Sequence, residues 1–387
     1  MREHFLLDPG TVFLNHGSFG ACPREVLEAQ RSLQLEMERN PVDFLARRSA
    51  SLLREARGLL AAHLGAKGSD LVFVPNATTG VNIVARSLEF TPGDEVLTTD
   101  HEYGACDNTW DWVAERRGAV VRRVEIPLPF RPAEFLDRLW AGVTPRTRLI
   151  FVSHLTSTTG LVFPLEGLCR RAREGGILSL VDGAHAPGQL DLDLDALGAD
   201  FYTGNGHKWL CAPKGAGFLH ARAEHHEKLH APVVSWGYSA ASGGHRGFES
   251  YTGESVLERR LQWQGTRDLS AFLAVPAAIE FQRRHAWPAL RAQCHRLAVE
   301  ALARHCAEHG VEPIAEDGDF AQMACLPFPA ADPEDLRRAL FERFCIEVPV
   351  TRHRGRVFVR VSVQAYNTES DLEALHAALR RIAAERG

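Results

Sequence analysis

Between about residues 60 and 220, short apolar runs alternate with amphipathic stretches. Leu71-Val72-Phe73-Val74 leads into a polar turn, Pro75 to Gly80, and then into a helical pattern from Val81 to Leu88. Glu95 to Thr99, Val120 to Val124, Leu149 to Ser153, Ile177 to Val181 and Gly215 to Leu219 continue the series of predicted strands. Strands separated by helices imply an α/β fold with a mainly parallel sheet covered on both faces. Ligands of such sheets collect beyond the carboxyl ends of the strands, and Asn76 to Gly80, Asp100-His101, Ser153-His154 and Asp182 all fall there.

From about residue 270 the pattern shifts to long helices with fewer strands. Val357 to Val363 alternates as a strand, and Thr368-Glu369-Ser370-Asp371 caps an amphipathic helix running through Leu375 and Leu379. These features predict a second, smaller α+β domain. Residues 235–255 are rich in Gly and Ser and predict a loop, either a lid or a plain surface loop.

With 387 residues, 45% hydrophobic and 24% charged, the chain is long enough for two globular domains. A formal net charge of −5 with scattered basic residues argues against a nucleic-acid partner. The first residues are too weakly apolar for a signal peptide, and no stretch reaches the roughly 20 apolar residues of a membrane span. Eight widely spaced cysteines without a Cys-x-x-Cys pair suit reduced thiols in a cytoplasmic protein, not a disulfide frame or zinc site. None of the 18 histidines shows metal-ligand spacing, so no metal is expected.

The chemistry concentrates at Val181-Asp182-Gly183-Ala184-His185 and, 26 positions after Asp182, at Lys208 within Gly204-Asn205-Gly206-His207-Lys208-Trp209. A pyridoxal phosphate enzyme needs such a pair: an amine for a Schiff base with the cofactor aldehyde, and a carboxylate that keeps the pyridine nitrogen protonated. Asn76-Ala77-Thr78-Thr79-Gly80, opening a helix, offers amides and hydroxyls to a phosphate, as do Asn205 and His207. Singly, each has a plainer reading as a surface lysine, a strand-end carboxylate or an ordinary helix cap. Arg360, interrupting an apolar strand, can equally lie on a solvent face.

Asp182 to His185, Gly204 to Trp209 and Pro213 to Leu219 resemble the class V aminotransferase/cysteine desulfurase family of pyridoxal phosphate enzymes. Within it, Leu14 to Pro23, Asn40 to Leu45, Asp100 to Ala105 and Gln264 to Asp268 resemble the isopenicillin N epimerase-like branch, so the likeness spans nearly the whole chain. It implies the type I pyridoxal phosphate fold: a large domain over 18–265 with a seven-stranded, mainly parallel sheet, and a small domain over 266–387 joined by the N-terminal arm 1–17.

The resemblance makes Lys208 the Schiff-base lysine, Asp182 the pyridinium partner and His185 the partner of the cofactor's phenolic oxygen. Thr78, Thr79, Asn205 and His207 match phosphate contacts, and Ala77 stands where relatives often carry a further Thr. Thr266 matches a phosphate ligand given by the neighbouring subunit, so a homodimer with a shared site is implied. Tyr103 matches the ring stacked on the cofactor and a candidate second acid/base; with the alignment slipped by two, His101 takes that place. Arg360 matches the clamp for a substrate α-carboxylate, with Ser157 and Asn15 on the substrate side. The segment Pro349 to Arg356 lacks the nucleophilic cysteine of desulfurases, and Cys345 reads as a buried thiol. Arg47-Arg48 offers a distal carboxylate site or a solvated helix face.

The implied activity is epimerisation at the α-carbon of an amino acid or peptide-like amino acid, with carbon–sulfur lyase and aminotransferase chemistry as alternatives. A cofactor-binding regulator without catalysis is the non-enzymatic alternative.

Overall fold

The computed structural model describes residues 1–241, 252–329 and 331–385. Of the 235–255 loop expectation, residues 242–251 fall outside those described, and Trp236–Ala241 forms a short helix where a loop was expected. Twelve strands are described: β1 Val12–Phe13, β2 Leu71–Val74, β3 Glu95–Thr99, β4 Val120–Val124, β5 Thr147–Ser153, β6 Leu178–Gly183, β7 Phe201–Asn205, β8 Gly217–Ala221, β9 Met323–Phe328, β10 Ile346–Glu347, β11 Val350–His353 and β12 Arg356–Ser362.

Seven of them form one sheet in the order β2-β8-β7-β6-β5-β3-β4. Only β8 runs against its neighbours; the other six share one direction. Successive side chains point to opposite faces, and both faces are covered. Val72, Val96, Phe151, Leu180 and Leu219 pack with Val81, Val84, Trp110 and Val113 of two helices, Ala77–Ser87 and Gly104–Arg117. Phe73, Leu97, Ile150, Val152, Val181 and Phe218 belong to a second core that continues into Leu326, Val359 and Leu375. Each such side chain contributes about 1.5–3 kcal/mol on burial. The edge strand β4 instead shows Arg122 and Arg123 to solvent, a charge pattern that discourages strand addition.

A three-stranded antiparallel sheet, β11-β12-β9, forms from the C-terminal part of the chain. Arg360 sits on its central strand, opposite Cys325 and 3% exposed, which removes the solvent-face reading. The N-terminal arm joins this region: β1 pairs in parallel with β10, and Asn15 bridges to Ser362. Thr368 and Asp371 form the expected capping box of the Glu369–Ala384 helix, which buries Leu375 and Leu379.

Two glycines permit the close approaches that shape the site. A Cβ on Gly80 would collide with the Thr203 hydroxyl, so the first turn of the Ala77–Ser87 helix can lie directly on β7. Gly20, at φ +71°, brings the arm against the carbonyl of His207, where a side chain would also collide. Among the described residues no helix is long and apolar enough to cross a membrane.

Candidate active site

The carboxyl ends of β2, β5, β6 and β7 converge on a cleft of about 620 Å³. Its lining includes Thr78, Tyr103, Ser157, Asp182, His185 and Lys208, brought together from segments up to 130 residues apart in the chain. Ala77, Asn205 and His207 also face it.

At one end the helix Ala77–Ser87 begins. Asn76 caps it, its Oδ1 accepting the Thr79 N–H at 2.8 Å and the Thr79 hydroxyl at 3.1 Å. The Ala77 N–H donates to Asn205 Oδ1 at 2.8 Å. That bond fixes the orientation of the Asn205 amide and leaves its NH2 to the cleft. Thr78 alone in this turn keeps both its N–H and its hydroxyl outside the internal bonding. A helix N-terminus with a free amide, a free hydroxyl and an amide NH2 suits a phosphate. His207 contributes differently. Its Nδ1–H donates to the Ala216 carbonyl at 3.0 Å, so Nε2 bears the lone pair, and burial lowers its pKa to about 4. Nε2 can donate to an anion only after taking a proton.

At the other end Asp182 is the one carboxylate in the lining among the described residues. Its Oδ1 accepts the Ala184 N–H at 2.9 Å, and the Cys106 thiol donates to Oδ2 at 3.5 Å. Burial raises its pKa, so its charged form requires a cation nearby. Lys208 Nζ lies 3.1 Å from His185 Nε2, and the Trp209 indole N–H donates to His185 Nδ1 at 3.2 Å. Burial first and the Arg360 charge second lower the lysine pKa to about 8. A further amine, Lys214, lines the same cleft. Two of the four lysines in the chain thus face one cavity.

Arg360 does not itself line the cleft but is tied to it. Its Nη1 donates to the Ser157 carbonyl and, at 3.3 Å, to the Ser157 hydroxyl. The Nε–H is buried without a partner, and among the described residues no carboxylate pairs with the guanidinium. Burial accordingly lowers its pKa. A buried, unpaired guanidinium beside a cleft is a strong anion receptor.

Several expected residues are not brought to the cleft. Thr79 spends both its donors on Asn76. Asn15 anchors the arm, donating to Glu347 Oε1 at 3.0 Å and accepting the Ser18 hydroxyl at 2.5 Å. Thr266 is exposed and lies outside the cleft of its own chain. His101 is fully buried away from the cleft, its ring nitrogens bonded at 2.8 Å to Thr159 Oγ1 and the Ile126 carbonyl, whereas Tyr103 stands half exposed at the rim. Cys345 is exposed, contrary to expectation, because it ends the Pro333–Phe344 helix in a left-handed conformation at φ +54°. Arg47 and Arg48 pair with Asp43 and Glu36 on the surface.

Other features escaped the sequence. Phe19 and Lys214 line the cleft; both lie inside the motifs quoted above, but no site role was expected of either. Glu102 is buried behind it, accepting the Thr99 and Ser153 hydroxyls at 2.6 Å each. Burial pushes its pKa up to about 8, so it is a neutral acid at pH 7.

A sequence model of the class V aminotransferase family matches residues 12–375. The chain belongs to that family. It is 41% identical to an isopenicillin N epimerase from Amycolatopsis lactamdurans, over 98% of this chain and 97% of that one. It is 40% identical to the isopenicillin N epimerase of Streptomyces clavuligerus, over 99% and 98%. An apo cysteine desulfurase from Thermococcus onnurineus NA1 has the same fold, with a TM-score of 0.81 at 21% identity over 98% of this chain and 96% of that one. As a member of the class V aminotransferase family the chain is a pyridoxal phosphate enzyme acting on a small-molecule amino acid, with the type I fold expected from its motifs. The cleft fits the cofactor: a phosphate seat at Thr78 and Asn205, a buried carboxylate in need of a cation at Asp182, and an amine of lowered pKa at Lys208.

Proposed function

We propose that this chain epimerises the α-carbon of an amino acid or peptide-like amino acid. The observation that carries the proposal is a single cleft holding two proton carriers of different kinds. Lys208 lines it half-buried and Tyr103 stands half exposed at its rim, with an adjoining arginine that no carboxylate pairs among the described residues. The full-length likeness to two isopenicillin N epimerases supports the same reading.

Pyridoxal phosphate, when bound, supplies an electron sink that makes the substrate's α-proton acidic. Thr78 N–H and Oγ, the Asn205 NH2 and, once protonated, His207 Nε2 hold the phosphate. Asp182 offers a buried negative charge to the protonated ring nitrogen, relieving its own desolvation. Arg360, tied to the cleft through Ser157 and paired with no carboxylate among the described residues, offers its guanidinium to the α-carboxylate, which would orient the α-carbon. Lys208 Nζ, with a pKa near 8, both accepts and returns a proton at neutral pH. Tyr103 Oη carries the proton of the other face. No cysteine lines the cleft among the described residues, and burial raises the pKa of nearby Cys106, which disfavours thiol-based sulfur transfer.

We take 18–265 as the cofactor-bearing domain and 266–387 with 1–17 as the smaller one. In a cytoplasmic homodimer, exposed Thr266 would serve the second copy's phosphate seat. Incubation with candidate amino acids in D2O tests the reaction. Deuterium at the α-carbon with inversion supports epimerisation. Pyruvate release would indicate a lyase, and conversion of the cofactor to its amine form a transaminase.

A further inference from the structure

The indole N–H of Trp209 lies 3.2 Å from His185 Nδ1, and an indole nitrogen can only donate. Both side chains are buried. Burial, then the charges of Lys208 and Arg360, hold the His185 pKa well below its ordinary value, so the ring is neutral and carries one proton. With Nδ1 accepting from Trp209, that proton belongs on Nε2. Lys208 Nζ is the group 3.1 Å from Nε2. An N–H there is satisfied by an amine with a free lone pair and opposed by an ammonium, whose three hydrogens leave nothing to accept with.

We propose that Trp209 is a positioning residue: by donating to His185 Nδ1 it fixes the histidine tautomer, and His185 Nε2–H in turn holds Lys208 as a free amine. This rests on the assignment of Lys208 as the amine that attacks the cofactor aldehyde. The free amine is the attacking form, so the device sets how readily the protein captures its cofactor at neutral pH. The other charged and titratable groups around the pair are Asp182 and Cys106, which favour the ammonium, and Arg360, His16 and His207, which oppose positive charge. A space-filling role for Trp209 has its own contacts: the ring packs 4.9 Å from that of His16, and the Trp209 carbonyl accepts from Gln282 at 2.8 Å. Neither of those needs the indole N–H.

The test is the pH dependence of pyridoxal phosphate capture by cofactor-free protein, followed by the visible absorbance of the bound cofactor. Two variants remove the N–H: Trp209→Phe, and replacement of Trp209 by benzothienylalanine, which keeps the bicyclic shape with sulfur in place of N–H. Without the donor, the proton can move to Nδ1 and Nε2 becomes an acceptor that favours the ammonium. The midpoint of the capture rate should rise from near pH 8 by about one unit or more, so that capture at pH 7 slows roughly tenfold. An unchanged midpoint in the benzothienylalanine protein would overturn the proposal, and it decides the matter if Trp209→Phe does not fold. Lys208→Ala separates the underlying assignment: if that variant captures cofactor with the wild-type profile, the lysine assignment fails, whatever Trp209 does.

Discussion

Replacing Arg360 with Met separates a substrate clamp from a structural arginine, because the two roles predict opposite changes in stability. The guanidinium is 3% exposed, has a buried Nε–H without a partner, and among the described residues no carboxylate neutralises it. Its bonds go to the Ser157 carbonyl and hydroxyl. A buried charge in that state weakens the folded protein, and replacing such charges with apolar groups of similar size is often neutral or stabilising by about 1–4 kcal/mol. The Ser157 carbonyl loses a donor, which offsets about 1–3 kcal/mol of that gain. The substrate-free Arg360→Met protein should therefore unfold at an unchanged or higher temperature. Substrate handling should move the other way: a charge-assisted hydrogen bond is worth about 1.5–3 kcal/mol, so kcat/KM should fall roughly 10- to 100-fold or more. Thermal unfolding and steady-state kinetics on one preparation provide both readings. A variant destabilised by several kcal/mol with wild-type kcat/KM would show that Arg360 braces the small sheet and does not hold substrate.

Glu102 gives a pH signature. Its pKa rises from 4.5 to about 8 on folding, so the folded state holds a proton that the unfolded state loses between those values. The stabilisation is complete below pH 4.5 and is lost as pH rises through about 8, with a total on the order of a few kcal/mol at roughly 1.4 kcal/mol per unit. Glu102→Gln in the cofactor-free protein should lack that decline and become more stable than the parent above pH 8; parallel curves in urea titrations at pH 5 and pH 9 would contradict this. Thr78→Val removes a hydroxyl but leaves the helix cap at Asn76–Thr79 intact. It should weaken pyridoxal phosphate binding by about 1.5–3 kcal/mol, roughly 10- to 100-fold or more, in equilibrium dialysis, with no change in the unfolding temperature of the cofactor-free protein. An equal loss in Thr79→Val binding would show that the phosphate lies elsewhere on this turn.

Much of the large sheet was legible because its buried strands are short apolar runs with clear boundaries, as at Leu71–Val74 and in Leu149 to Val152 of β5. β7 was not. Phe201-Tyr202-Thr203-Gly204-Asn205 ends in residues typical of turns, and it is held as a strand by β6 on one side and β8 on the other. Nor could local pattern show that β8 runs antiparallel. In the site, motif residues at strand ends did converge on one cleft, since parallel topology brings those ends together. Hydrogen-bond assignments between distant segments were hidden: that Asn205 takes the Ala77 amide, that Asn76 claims Thr79, or that Glu347 holds Asn15 depends on side-chain direction in three dimensions. Glu102 and Trp209 stood beside singled-out residues, yet their partners Thr99, Ser153 and His185 lie on other turns and strands.

The most direct measurement is borohydride reduction of the purified yellow protein followed by peptide mass spectrometry. The chain has four lysines, at 67, 208, 214 and 228, so the outcome is unambiguous. A phosphopyridoxyl group on Lys208 alone is expected; the same mass on Lys214 or another lysine, with Lys208 unmodified, would contradict the assignment of Lys208 as the cofactor's amine.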